Sequence, residues 1–234
     1  MQVPNRKSIR AFLKLAQLSG YKIFDRPYEL NIVGVRSGST IPNKFDDKIA
    51  VFYKTDNGTW EGKVFNATTD PGTYWLNQPM EPKGTAILKQ GQYINSHQIG
   101  LHRGKYEALV QRNPVVVMRD YDRNAVLDFN NGKDDKGLFG INIHRASATG
   151  TTTKIDKYSA GCQVFENAEE FGQFVDMAKK HKDLYGNNFT YTLIDERAYT
   201  RALKRKGTYV IAGLIIVTAI YVATRLYKNK PIIP

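Results

Sequence analysis

Cys162 is the only cysteine in the chain. It closes the run Tyr158-Ser159-Ala160-Gly161-Cys162, eighteen residues after His144 in Gly140-Ile141-Asn142-Ile143-His144. A single thiol forms no internal disulfide, so Cys162 is either an inert packed group or a reactive one. Small residues ahead of it let backbone amides approach a substrate carbonyl. An imidazole folded beside it can take the thiol proton and return it to a leaving group. Together these are the minimum equipment for a cysteine nucleophile working by acyl transfer. Either residue alone reads as structural; their shared setting, at the ends of apolar runs and beside glycines, is what points to chemistry.

Other residues fall into a second tier. His102, in Leu101-His102-Arg103-Gly104-Lys105-Tyr106, is a candidate to line a pocket. In the pair Arg119-Asp120, the arginine is suited to a substrate carboxylate and the aspartate to an ion pair. All three are equally readable as charges at strand ends. A zinc site built from His97, His102, His144 and Cys162 is the alternative chemistry, but none of their spacings is a recognised ligand pair, so neither metal nor cofactor is expected. Asp134-Asp135 lacks the alternating oxygen ligands of a calcium loop. His181, among Lys179, Lys180 and Lys182, reads as a solvated helix position.

The elements that must position these groups are mostly short strands. A helix is expected over Lys7 to Leu18, from the apolar spacing of Ile9, Phe12, Leu13, Ala16 and the stop at Gly20. Strands are expected at Leu30 to Val35, Ile49 to Tyr53, Gly62 to Phe65, Thr85 to Leu88, Ala108 to Gln111 and Val115 to Met118. Thr55-Asp56-Asn57-Gly58 is a hairpin signal. Asp120 to Gly137 is too polar for a core and reads as a surface excursion. Phe139 to His144 resumes strand character, Arg145 to Lys157 is loop, and Gln163 to Phe165 is a short apolar strand. Asn167 then caps a helix with an acidic first turn that runs to about Tyr185, and a last strand covers Asn188 to Ile194.

Ile141-Asn142-Ile143-His144, a polar loop, and Ser159-Ala160-Gly161-Cys162 resemble the L,D-transpeptidase catalytic family, whose motif is a histidine followed by Ser or Thr, His, Gly, Cys. His144, Ser159, Gly161 and Cys162 match that motif over residues 139 to 165. Ala160 stands where the family usually has a second histidine, and Gln163-Val164 departs from the usual continuation. Thr68 to Gly72, Leu101 to Leu109 and Arg119-Asp120 extend the likeness to phage-encoded proteins of this kind, over most of residues 28 to 195. The resemblance implies a mainly β (α+β) fold, a β-sandwich or partly open barrel with a few peripheral helices. It also implies a virus-encoded enzyme acting on peptidoglycan peptides. In that chemistry Cys162 is the nucleophile and His144 the acid-base. Ser159 orients the imidazole, and amides near Gly161 bind the oxyanion. A catalytically silent virion protein that binds peptidoglycan or scaffolds a membrane is the alternative.

The chain carries 34 Lys and Arg against 22 Asp and Glu, a formal charge of +12. Such an excess invites a nucleic-acid reading, but its distribution argues otherwise. Residues 196–234 hold eight basic groups against Glu196 alone, and they bracket the uncharged run Gly207 to Thr224. That run, extended through Leu226 and Tyr227, has the length of a bilayer span, and anionic headgroups account for its basic flanks. The expected organisation is therefore a lead-in helix (1–27), a catalytic domain (28–195), a basic linker (196–206), a transmembrane helix (207–227) and a basic tail (228–234). Met1 to Lys7 leads into polar sequence without the apolar stretch of a signal peptide. These features predict a single-pass membrane protein, in a virion internal membrane or a host cell membrane, with peptidoglycan peptides as substrate, virion or membrane proteins as possible partners, and no nucleic acid.

Overall fold

The computed structural model describes residues 6–129 and 132–197. Eleven strands and three helices follow in the order α1 (Arg6–Leu18), β1 (Asn31–Arg36), β2 (Asp47–Lys54), β3 (Trp60–Thr68), α2 (Thr73–Asn77), β4 (Thr85–Leu88), β5 (Gly91–His102), β6 (Tyr106–Gln111), β7 (Val115–Asp120), β8 (Asp134–Gly137), β9 (Ile143–Arg145), β10 (Gln163–Phe165), α3 (Ala168–Tyr185) and β11 (Phe189–Asp195). Eight strands close into a barrel in the order β1-β11-β5-β6-β9-β10-β3-β2, and β4-β7-β8 form a separate small sheet. Closure removes the unpaired edges that an open sheet of this size would expose. The mainly β expectation holds, with a closed ring of mixed strands.

Local chemistry explains much of this. Thr55 N–H bonds Thr59 O at 2.9 Å and Gly58 takes φ +78°, so the expected Asp-Asn-Gly turn joins β2 to β3. The Asn167 side chain accepts from Glu170 N–H and starts α3. Phe171, Phe174 and Ala178 of α3 are buried, and the rings of Phe174 and Phe165 stack at 5.0 Å. His181 continues that stripe and is buried rather than solvated. Its Nδ1 accepts from Leu30 N–H at 3.0 Å, and its ring lies 4.7 Å from that of Phe189. Helical spacing places it with Phe174 and Ala178, away from its lysine neighbours.

Helix α1 buries Ile9, Phe12 and Ala16 and packs on β3 and β2, so it is part of the compact unit that ends at Asp195. The surface excursion at 120–137 contains one further short strand, β8, paired to β7. No helix among the described residues is long and apolar enough to cross a membrane, and the 207–227 span lies outside them.

Candidate functional site

Two parallel neighbours, β9 and β10, set the register of the site: Gln163 pairs with Ile143 and Val164 with His144. Gln163 N–H bonds Asn142 O at 2.8 Å, so the backbone of Gly140 to Asn142 runs beside the loop that carries Cys162. The Cys162 thiol donates to Gly140 O at 3.3 Å. Cys162 is half-buried. Enclosure of its sulfur pushes the thiol up, while the backbone N–H of Asn142 and the charge of Arg103 pull in the other direction.

His144 is 3% exposed. Its Nδ1 lies 2.8 Å from Arg145 O and 3.4 Å from Tyr106 Oη. Nε2 has no hydrogen-bond partner among the described residues. A carbonyl at Nδ1 selects the tautomer with its proton there, which leaves the Nε2 lone pair to act as a base. Burial, then the charge of His102, holds the imidazole pKa down to about 3. Cys162 and His144 are therefore a neutral thiol and a neutral imidazole near pH 7.

The His102 ring stacks on that of His144, 4.1 Å between centroids and 23° between planes. It stands at the end of β5, where it pairs with Tyr106 across the β5–β6 hairpin. Its Nδ1 accepts from the Asn142 amide at 3.2 Å. The orientation of that amide is set by Asn142 Oδ1, which accepts from Gln111 N–H at 2.9 Å. Burial and then Arg103 lower the His102 pKa. Tyr106 Oη also donates to Arg145 O at 3.2 Å, so the phenol braces the carbonyl that holds His144.

Ser159 does a different job from the one the motif implies. It is fully buried; its hydroxyl donates to Cys162 O at 2.9 Å and accepts from Gly161 N–H at 3.1 Å. Its carbonyl accepts from Gly72 N–H. The side chain thus closes the turn that presents the thiol, and Arg145 O orients the imidazole instead. The Gly161 amide, occupied by Ser159 Oγ, is not open to an oxyanion. Gly161 matters for its shape: φ is +120°, and a Cβ there would sit 2.0 Å from Ala86 O. Gln163 secures the other side, with Nε2 on Gly161 O at 3.2 Å and Oε1 accepting from Tyr191 Oη at 2.8 Å.

Below this loop a buried ionic cluster anchors the chain. Arg36 is fully buried, 2.7 Å from Asp70 and 3.8 Å from Asp195, and it donates to Leu88 O and Thr69 O. Asp47 accepts from Ser37 N–H, Thr69 N–H and Thr69 Oγ1. Burial and the neighbouring Asp70 raise its pKa to about 7.

Arg119 and Asp120, neighbours on β7, point to opposite faces of the strand. Arg119 bonds Gly84 O at 3.1 Å and Asp135 at 3.0 Å, and lies over the Phe139 ring. Asp120 accepts from Asp128 N–H at 2.9 Å. Among the described residues, the grouping able to hold a metal is Asp120, Asp122 and Asp128, with carboxylate oxygens within 4.8 Å of one another. That is an oxygen set suited to a hard cation, not to zinc. His97 does not join the other histidines. Both its ring nitrogens are bonded, to Ser96 Oγ and Ile141 O at 2.8 Å each.

Three residues of the site, Tyr106, Asn142 and Arg103, were not singled out by sequence. All three lay in quoted motifs without any periodic or spacing signal for a role. Comparison of the chain with protein-family models, with curated proteins and with solved structures finds no match.

Proposed function

We propose that the protein is a membrane-anchored, virus-encoded cysteine enzyme acting on peptidoglycan peptides by acyl transfer. The observation that carries this reading is the unpartnered Nε2 of buried His144, in a tautomer held by Arg145 O, on β9, which pairs in parallel with β10 directly after the lone thiol. The motif likeness around Ser159 to Cys162 supports the substrate class, and the uncharged run Gly207 to Thr224, continued past Arg225 by Leu226 and Tyr227, supports the membrane anchor.

The chemistry is general-base assisted. Cys162, on leaving Gly140 O, passes its proton to His144 Nε2 as sulfur bonds to the substrate carbonyl carbon. The amide of Cys162 stabilises the oxyanion, since that of Gly161 is engaged. His144 then protonates the leaving amine as the C–N bond breaks, leaving a thioester on Cys162. Water attacks that thioester through the same imidazole, releasing the acid and restoring the thiol. An amine in place of water gives a crosslink. Hydrolysis is the favoured outcome, because a virus entering or leaving a cell needs the wall cut.

The raised thiol favours a second reading, a silent virion protein that binds peptidoglycan or scaffolds a membrane. Muropeptide release from purified sacculi separates the two. Cys162→Ala in the full chain should abolish release, whereas release at the unaltered rate, or none from the parent protein, refutes the enzyme.

A further inference from the structure

Lys48, Asn66 and Glu166 lie side by side across three neighbouring segments of the barrel. Lys48 on β2 is the direct cross-strand partner of Asn66 on β3, and Glu166, the residue after β10, donates its N–H to Asn66 O at 3.1 Å. Their neighbours Ile49, Phe65 and Phe165 enter the core, so the three side chains share the opposite face of the sheet, where each is half-buried.

The side chains are joined end to end. Lys48 Nζ donates to Asn66 Oδ1 at 2.5 Å, and Asn66 Nδ2 donates to Glu166 Oε2 at 2.7 Å. An ammonium only donates and a carboxylate only accepts, so these partners fix the orientation of the amide. The ammonium draws electrons toward Oδ1 and makes Cγ more electrophilic, while the carboxylate stands at the amide nitrogen. Glu170, in the first turn of α3, feels the charges of both Glu166 and Lys48, which brings a second carboxylate to the group. Lys63 also meets an amide, that of Gln173, but in an exposed contact between a strand and a helix.

We propose that Lys48 and Asn66 form an intramolecular isopeptide bond, with Glu166 as the acid-base group, so that β2 is tied covalently to β3. Glu166 takes a proton from the Lys48 ammonium, and the freed Nζ lone pair bonds to Asn66 Cγ. The Cγ–Nδ2 bond then breaks and Nδ2 leaves as ammonium, protonated through Glu166. Nζ gives up two protons and Nδ2 gains two; Glu166 ends as it began, and no oxidant or reductant is involved. Free amines and amides exchange very slowly, but strand register that holds the two in contact gives an effective concentration of about 10⁵ M or more. A lysine amine is a competent nucleophile once deprotonated, and a carboxylate within hydrogen-bond reach of the departing nitrogen supplies the proton transfer. The bond is independent of the Cys162 chemistry. It gives a chain with one cysteine, and therefore no internal disulfide, a covalent staple beside the strand that follows the thiol.

Intact mass and peptide mapping test this. Full-length protein is made by cell-free synthesis in detergent and its mass is followed with time. The parent should lose about 17 Da, the mass of ammonia, and trypsin should release a branched peptide joining residues 45–54 to 64–83. Lys48→Arg should keep its full mass. Glu166→Gln, with a circular dichroism spectrum matching that of the parent, should lose ammonia about 100-fold more slowly. A parent that keeps its full mass overturns the proposal. So does a loss of ammonia without the branched peptide, since ring closure at Asn57-Gly58 sheds the same mass within one peptide. An equal rate in Glu166→Gln overturns the role of Glu166.

Discussion

Gly161→Ala tests how tightly the thiol is held. The new Cβ would lie 2.0 Å from Ala86 O and 3.3 Å from Ile141 Cδ1, on a residue at φ +120°. A carbon normally approaches such an oxygen no closer than about 3.3 Å, so a retreat of roughly 1 Å is needed. Ala86 cannot supply it cheaply, because β4 is paired to β7 with Ala86 opposite Arg119. The Cys162 loop must move. Backbone strain and overpacking together should destabilise the fold by about 3 kcal/mol. A shift of the nucleophile by about 1 Å should lower kcat/KM about 100-fold. Gly58→Ala is the control: its φ of +78° is strained, but nothing lies within 4 Å of the Cβ. It should cost about 1 kcal/mol and leave turnover unchanged. Urea denaturation of each variant with a common slope, alongside muropeptide release, measures both effects. The reasoning is refuted if Gly161→Ala matches Gly58→Ala in stability, or if it keeps the parent rate.

Ser159→Ala should remove the bonds to Cys162 O and Gly161 N–H, lowering stability by about 1 to 3 kcal/mol and turnover with it, while the pH profile keeps its shape; a shifted profile would mean that Ser159 acts on the imidazole after all. Stability should rise with pH between about 4.5 and 6.5. His97 and His144 have folded pKa values of about 4 and about 3, so across that window the unfolded chain binds protons the native state refuses, and stability is lost as pH falls. Asp47, raised to about 7, opposes them with one proton kept by the native state, leaving a net positive slope. Unfolding free energies that stay flat or fall with pH across that range would contradict it.

Much of the fold was legible because its signals are local. The Asp-Asn-Gly turn, the Asn167 cap and the apolar runs of β4 and β10 each act within a few residues, and the structure keeps them. Strand β5 was missed: Gln92, Asn95, Ser96, His97 and Gln98 have no alternating apolar pattern, and pairing with β11, nearly a hundred residues away, makes the strand. Strand β11 falls where the last strand is expected, and all seven of its residues are buried. The role of Ser159 left a readable signal, since a serine two and three residues from turn amides and carbonyls tends to bond them. His181 left one too, in its helical spacing from Phe174 and Ala178.

Composition and order alone determined that the chain has one thiol, that a histidine lies one loop ahead of it, that the region is mainly β, and that the basic excess flanks an apolar run. Those are properties of residue type and short-range spacing. The stacking of His102 on His144, the brace of Tyr106 on Arg145 O and the pairing of Arg119 with Asp135 were decided only by the tertiary structure. Each is a contact between residues that lie far apart in sequence and meet when their strands come into register. Arg119 and Arg103 are the clearest case: the same side-chain chemistry, one paired to Asp135 across the small sheet and one left exposed at a hairpin tip.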